Sequence, residues 1–211
     1  WTRNEVLMTT DAEFKKLRDL VDETLGDDII NLRAQRIHFE ELPDEHHCSV
    51  SLELHDTGGD IPRAIEGGGV GLVDAVFNAV RDTMAIDFPS LKHIFFDDFI
   101  VTSDIAKTRK NTPGSDAVGT VELIVRNEEG RIFSFVDESR STTASTVNVV
   151  LRSLSHFVNA ERAVRVIVKA IEEAKTRNRG ELVQSYTMRL SDLVKHASYA
   201  AVVQDARAKL L

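Results

Sequence analysis

Two stretches of this chain repeat one another. Asp74-Ala75-Val76-Phe77-Asn78-Ala79-Val80 and Ala144-Ser145-Thr146-Val147-Asn148-Val149-Val150 share an asparagine and the same apolar spacing, 70 residues apart. Each follows three segments that read as strands. Self-similarity at a fixed offset predicts one supersecondary unit used twice, here βββα. Two such units must bury an apolar sheet face and a helix stripe each, so the repeat restricts the chain to an α+β fold with antiparallel sheets.

In the first unit, Leu32, Gln35, Ile37 and Phe39 lie in a β-like stretch ending at the turn signal Leu42-Pro43-Asp44. Residues 48–55 alternate apolar and polar, 56–60 read as a turn, and 61–65 as a short third strand. The glycine cluster Gly67-Gly68-Gly69-Val70-Gly71 then opens a helix to about Met84. In the second unit, 93–101 reads as a strand, 111–116 as a loop, 117–126 as a strand, 127–130 as a hairpin turn and 132–136 as a returning strand. A polar run over 139–145 precedes a helix through about Val158.

Helices flank the repeat. Thr10-Asp11-Ala12-Glu13 is a capping-box pattern, followed by Phe14, Leu17, Leu20, Val21 and Leu25 at helical spacing and a stop at Gly26. After 160, Ala163, Val164, Ile167, Val168, Ala170, Ile171 and Ala174 form an apolar stripe. Asn178-Arg179-Gly180 breaks it, and a second helical region covers about 181–209. The expected division is an N-terminal helical segment (1–28), the duplicated βββα domain (29–158) and a C-terminal helical extension (159–211).

Composition narrows the function classes. A net charge of −8, with Lys and Arg dispersed among acids, argues against a nucleic-acid or anionic-membrane surface. The single cysteine, Cys48, excludes an internal disulfide and fits a cytoplasmic protein. No apolar run is long enough to span a membrane. The chain begins at Trp1 rather than a methionine, which suggests a piece of a longer protein.

No catalytic constellation emerges. Gly67, Gly69 and Gly71 overlap as G-x-G, but the third small position falls on Leu72 or Asp74, and the preceding segment carries Pro62. No G-K-[ST] is present, so a P-loop is excluded. His46-His47-Cys48 resembles a ligand cluster, yet neighbours on a strand face opposite ways and no second pair lies nearby. Ser139, Ser141 and Ser145 lack a partnered histidine at useful spacing. Asp97-Asp98 and Glu128-Glu129 are adjacent carboxylates, but neighbours in a strand point to opposite faces, so shared acid–base work is not expected. The expectation is a chain with no catalytic residues, no metal and no cofactor of its own, although a site outside known motifs stays open. What remains are two helix N-termini, each offering free N–H groups and positive potential that suit a carboxylate.

Four motifs in order resemble the C-terminal regulatory domain of the 2-isopropylmalate synthase and citramalate synthase family. Gly69-Val70-Gly71-Leu72-Val73-Asp74-Ala75 is similar to that family's G-[DN]-G-P-V-[DN]-A, with Val70 and Leu72 departing. Phe96-Asp97-Asp98-Phe99-Ile100-Val101 is similar to L-x-D-Y-x-V, with Phe99 in place of tyrosine. Thr112-Pro113-Gly114-Ser115-Asp116-Ala117 resembles T-x-G-x-D-A. The segment 137–146 aligns with G-V-S-x-[DN]-I-x-x-A-S, with acids at Asp137 and Glu138 where the family carries a small and an apolar residue. The resemblance covers about 29–158.

It implies an allosteric module that binds leucine, isoleucine or a related small apolar amino acid between its two units and that forms a homodimer. Catalysis would belong to a metal-dependent TIM barrel in a longer parent chain. The implied site is the pair of loops before the helices. Gly67, Gly69 and Gly71 would allow close approach, with Asp74 and Phe99 beside them. Ser139, Ser141, Thr142 and Ser145 would offer hydroxyls. The departures keep a second reading open, a dimerisation or scaffold module of the same fold that binds nothing.

Overall fold

The computed structural model describes residues 10–55, 64–103 and 118–194. The elements in chain order are α1 (Asp11–Leu25), β1 (Arg33–Leu42), β2 (His47–His55), β3 (Ala64–Gly69) and α2 (Leu72–Met84), then β4 (Phe95–Ser103), β5 (Gly119–Arg126), β6 (Ile132–Ser139), α3 (Thr142–Thr176) and α4 (Gly180–Val194). Two separate three-stranded antiparallel sheets form, ordered β1-β2-β3 and β4-β5-β6. The fold is α+β, with an N-terminal helix and C-terminal helices around the duplicated units.

The duplication reaches down to strand register. Cys48 on β2 pairs with Gly69 on β3, as Gly119 on β5 pairs with Ser139 on β6. From those anchors Val50, Leu52 and Leu54 correspond to Val121, Leu123 and Val125, and all six are buried. Each first strand is irregular at the corresponding place, between Ala34 and Arg36 opposite Leu54, and between Phe96 and Asp98 opposite Val125. The helices start from matching N-caps, Gly71 and Ser141, again 70 residues apart. A bulge is a property of register rather than of hydrophobicity, so a shared bulge is a strong sign of one unit used twice.

Each sheet turns one face to its own helix. α2 lies on β3 and β2, α3 on β5 and β6, and the two helices pack on one another. Phe77, Phe133 and Phe157 are fully buried in the resulting core, together with Leu52, Leu123, Val150 and Leu154. Burying one such side chain contributes about 1.5–3 kcal/mol.

The structure moves several expected boundaries; the returning strand, expected over 132–136, runs Ile132–Ser139, and the first strand begins at Arg33, after Leu32. The third strand, expected over 61–65, is described over Ala64–Gly69, so the first three glycines belong to a strand rather than to a loop; residues 61–63 lie outside the described residues. The strand expected from His93 begins at Phe95, because Pro89–His93 winds into a short 3₁₀ turn. The helix expected to close near Val158 continues to Thr176. No glycine or proline interrupts residues 142–176, and Phe157, Ala160, Ala163 and Val164 carry the buried stripe straight across 158/159. The expected turns 56–60 and 111–116, and the second helical region beyond Val194, lie outside the described residues.

The continuous α3 serves both units. Its first half covers the second sheet; its second half packs with α1 and α4 around Leu17, Val21, Val164, Ile167, Leu190 and Leu193. Between these halves, three buried polar side chains hold the segments that lead into the sheets. Asn159 accepts from Ile30 N–H at 3.0 Å and donates to Ile30 C=O at 2.8 Å. The Ser155 hydroxyl accepts from Leu32 N–H at 3.3 Å, just before β1. Glu161 accepts from Ser90 N–H at 3.1 Å, ahead of β4, and also pairs with Arg165. α1 is fixed by the expected capping box, with Glu13 N–H bonded to the Thr10 hydroxyl at 3.3 Å and Thr10 N–H to the Glu13 carboxylate at 3.0 Å.

Candidate functional site

At the start of α2, the glycines are explained by the chain's own helix. A Cβ on Gly67 would lie 2.6 Å from the Ala79 Cβ, and one on Gly69 would lie 2.5 Å from both the Ala75 nitrogen and Asp74 Oδ2. Both distances are below contact, so β3 and α2 meet backbone to backbone only because these residues lack side chains. Gly71 differs. Its backbone is extended (φ −150°), and a Cβ there would meet nothing within 4 Å.

α2 therefore starts without a side-chain cap. Asp74 supplies part of the missing function by accepting from Val70 N–H at 3.0 Å. Its carboxylate sits in the first turn, where negative charge is favoured by the helix dipole. Gly71→Ser, which copies the cap of the second unit, is expected to stabilise the fold by about 0.3 kcal/mol. Urea midpoints of the two proteins measure it.

The start of α3 is built from hydroxyls that bond to one another. Ser145 Oγ donates to Ser139 Oγ at 2.9 Å, and Ser139 Oγ donates to the Ser141 carbonyl at 2.8 Å. Ser141 N–H donates back to Ser139 Oγ at 3.0 Å, and Ser141 Oγ caps the helix by accepting from Ala144 N–H at 3.2 Å. Ser145 is fully buried, while Thr142 is exposed at the first helical position. Phe99 sits on the edge strand β4, half-buried against the main core. The structure thus gathers the expected residues into two groups, Gly69-Gly71-Asp74 at one helix start and Ser139-Ser141-Ser145 at the other. Gly67 lies one helical turn further along, over Ala79.

Other expected features resolve simply. The β4 bulge breaks the alternation assumed for Asp97 and Asp98. Asp97 accepts from Arg126 Nε at 3.0 Å, and Asp98 accepts from Phe99 N–H at 2.8 Å, so both are committed. His46 lies in a left-handed turn before β2 begins at His47. Among the described residues no group of three His, Cys, Asp or Glu side chains is placed to hold a metal. Cys48 is buried in the core, and that burial pushes its thiol pKa up, with Glu41 adding to the effect, so it is a poor nucleophile. No described helix is long and apolar enough to cross a membrane.

Among the described residues, two surface grooves bear on the site. One, between α1 and α4, is spanned by the ion pairs Lys16–Asp192 (3.3 Å) and Arg189–Glu23 (2.7 Å). Exposed pairs of this kind contribute about 0–1 kcal/mol each. The other runs between β3 and α2, past Glu66, Gly67, Asn78 and Asp82. Sequence reading missed it because its glycines were assigned to a loop. Its counterpart in the second unit is closed by Arg152, Asn148 and Asp137, a cluster equally hidden until the repeat offset pairs Arg152 with Asp82.

No family model matches the chain, and no curated protein matches it in a sequence comparison.

Proposed function

We propose that this chain is a non-catalytic regulatory module of the type carried by 2-isopropylmalate synthases, binding leucine, isoleucine or a related small apolar amino acid and forming a homodimer. The supporting observation is the pair of βββα units, matched down to the bulge, whose helices pack on each other. The two helix starts offer complementary charge for a zwitterion. Asp74 suits an ammonium group at the first, and the free N–H groups of the α3 start suit a carboxylate at the second. On this reading the carbon–carbon bond chemistry belongs to a catalytic barrel elsewhere in a longer parent chain. Coupling to it requires the amino acid to bind one arrangement better than another.

A second reading, a dimerisation or scaffold module without ligand, is favoured by one specific observation. The Ser139 and Ser145 hydroxyls are bonded to each other, the Ser141 hydroxyl is spent on the Ala144 N–H, and the space above Gly67 and Gly69 is filled by α2. Isothermal titration with leucine, isoleucine and valine, alongside light scattering after size exclusion, separates the two. Heat on titration with any of the three supports the sensor reading. A dimer with no heat and no thermal shift leaves the scaffold reading standing, and a ligand-free monomer removes both.

A further inference from the structure

The internal repeat provides its own comparison structure. In the second unit Arg152 lies across the line between α3 and β6. Its Nη1 donates to the Val136 carbonyl at 2.8 Å and to Asp137 Oδ1 at 3.3 Å, and Asn148 Nδ2 donates to Asp137 Oδ2 at 3.4 Å. A guanidinium thereby covers the outward-facing backbone of β6, an edge strand of its sheet.

Shifted by 70 residues, Val136, Asp137, Asn148 and Arg152 become Glu66, Gly67, Asn78 and Asp82. The asparagine is kept. The arginine is replaced by an acid, the acid by a glycine, and the apolar strand residue by a second acid. The place filled by a cation in one unit is, in the other, a groove of about 360 Å³ whose lining includes Glu66, Gly67, Asn78 and Asp82. β3 is likewise an edge strand, and Glu66 pairs with Ser51 as Val136 pairs with Glu122, so the Glu66 carbonyl takes the same outward register.

The groove's chemistry is that of a missing guanidinium. Asp82 Oδ1 accepts from Arg81 Nε at 2.8 Å, and the second carboxylate oxygen remains as an acceptor. Glu66 contributes its backbone carbonyl, since Ile65 and Gly67 face α2 and the Glu66 side chain therefore leaves by the other face of the sheet, and Asn78 adds an amide. Ala79 forms an apolar part of the lining, and Ile86, 79% exposed, stands at the end of the groove. An apolar wall beside paired acceptors suits a side chain whose methylenes lie on hydrocarbon while its planar head takes several acceptors at once.

We propose that this groove binds an arginine side chain presented by a partner peptide, whose guanidinium takes the place that Arg152 occupies in the second unit. The inference is independent of amino-acid binding at the helix starts. A peptide-borne arginine is preferred to free arginine, because the free α-carboxylate would approach Asp82 and the Glu66 carbonyl.

The test uses amide-resolved NMR titration of the whole chain with N-acetyl-arginine amide, free arginine and N-acetyl-citrulline amide, which keeps the shape without the charge. Expected are saturable shifts at Gly67, Gly68 and Asn78 with the blocked arginine, at least several-fold weaker binding of free arginine, and no response to citrulline. Asp82→Asn should weaken binding several-fold with an unchanged spectrum elsewhere, whereas Glu66→Gln, on the opposite face of β3, should leave binding unchanged. Asp82→Arg, which restores the second unit's own solution, should abolish it. Equal response to citrulline, tighter binding of free arginine, or no shifts at these amides would overturn the proposal.

Discussion

A single methyl group added at Gly69 is expected to lower folding stability by about 2–3 kcal/mol, and one at Gly67 by a similar amount. The obstacle at Gly69 is the backbone nitrogen of Ala75, 2.5 Å from the new carbon, and at Gly67 the Cα and Cβ of Ala79 at 2.8 and 2.6 Å. Neither is the end of a flexible side chain, so relief requires α2 to move off β3. That movement opens the core at Ala75, Val76 and Ala79, all nearly or fully buried. Against a total stability of about 5–15 kcal/mol for a domain, such a loss shifts the urea midpoint clearly. Gly68→Ala is the control. Its nearest neighbour would be the His47 imidazole at 3.1 Å, which can swing aside, so a much smaller loss is expected. If Gly69→Ala kept full stability and altered only amino-acid binding, the glycines would be there for a ligand and not for the helix.

This bears on how much of the molecule its sequence disclosed. The repeat was legible because Asn78 and Asn148 sit in like apolar frames and because 48–55 and 119–126 alternate cleanly. The first helix was legible from Thr10 and Glu13, whose reciprocal bonds are local. β3 was misplaced because three consecutive glycines carry no hydrophobic period. Their strand identity comes from pairing with Cys48, Ser49 and Val50 and from contact with α2, both tertiary. The length of α3 was underread because Asn159 and Glu161 look like solvent-facing residues at a helix end. In the fold they are buried, 6% and 1% exposed, and satisfied by backbone groups more than 70 residues away in sequence.

The candidate site divides the same way. Type and position named Asp74 and Ser141 as helix-start residues, and each makes the short-range bond expected there. Sequence could not show that Ser139 and Ser145 spend their hydroxyls on one another, since that bond spans the strand-to-helix corner. Nor could it show that Arg152 closes one groove while Asp82 leaves its counterpart open, because the comparison needs both strand registers.

Asn159→Leu is expected to cost about 3 kcal/mol, comparable to the glycine substitutions but by a different route. The leucine fits by volume and adds apolar surface, so the loss comes from what it leaves behind. Ile30 N–H and C=O both lose the side chain that holds them, in a place where Ile30 itself is only 5% exposed. Each buried backbone group stripped of its partner costs about 1–3 kcal/mol. Ser155→Ala removes one longer bond, 3.3 Å from Leu32 N–H, and should cost about 1 kcal/mol. The ordering Asn159→Leu above Ser155→Ala is read from urea unfolding, and amide exchange localises it. The Ile30 amide should lose protection in the first variant and keep it in the second. Unchanged protection at Ile30 in Asn159→Leu would mean that the clamp is not what holds the lead-in to β1. If the clamp does hold it, the same helix that forms the second unit also positions the first strand of the first unit. The two copies then fold as one structure, and any ligand or partner that shifts α3 is felt by both sheets.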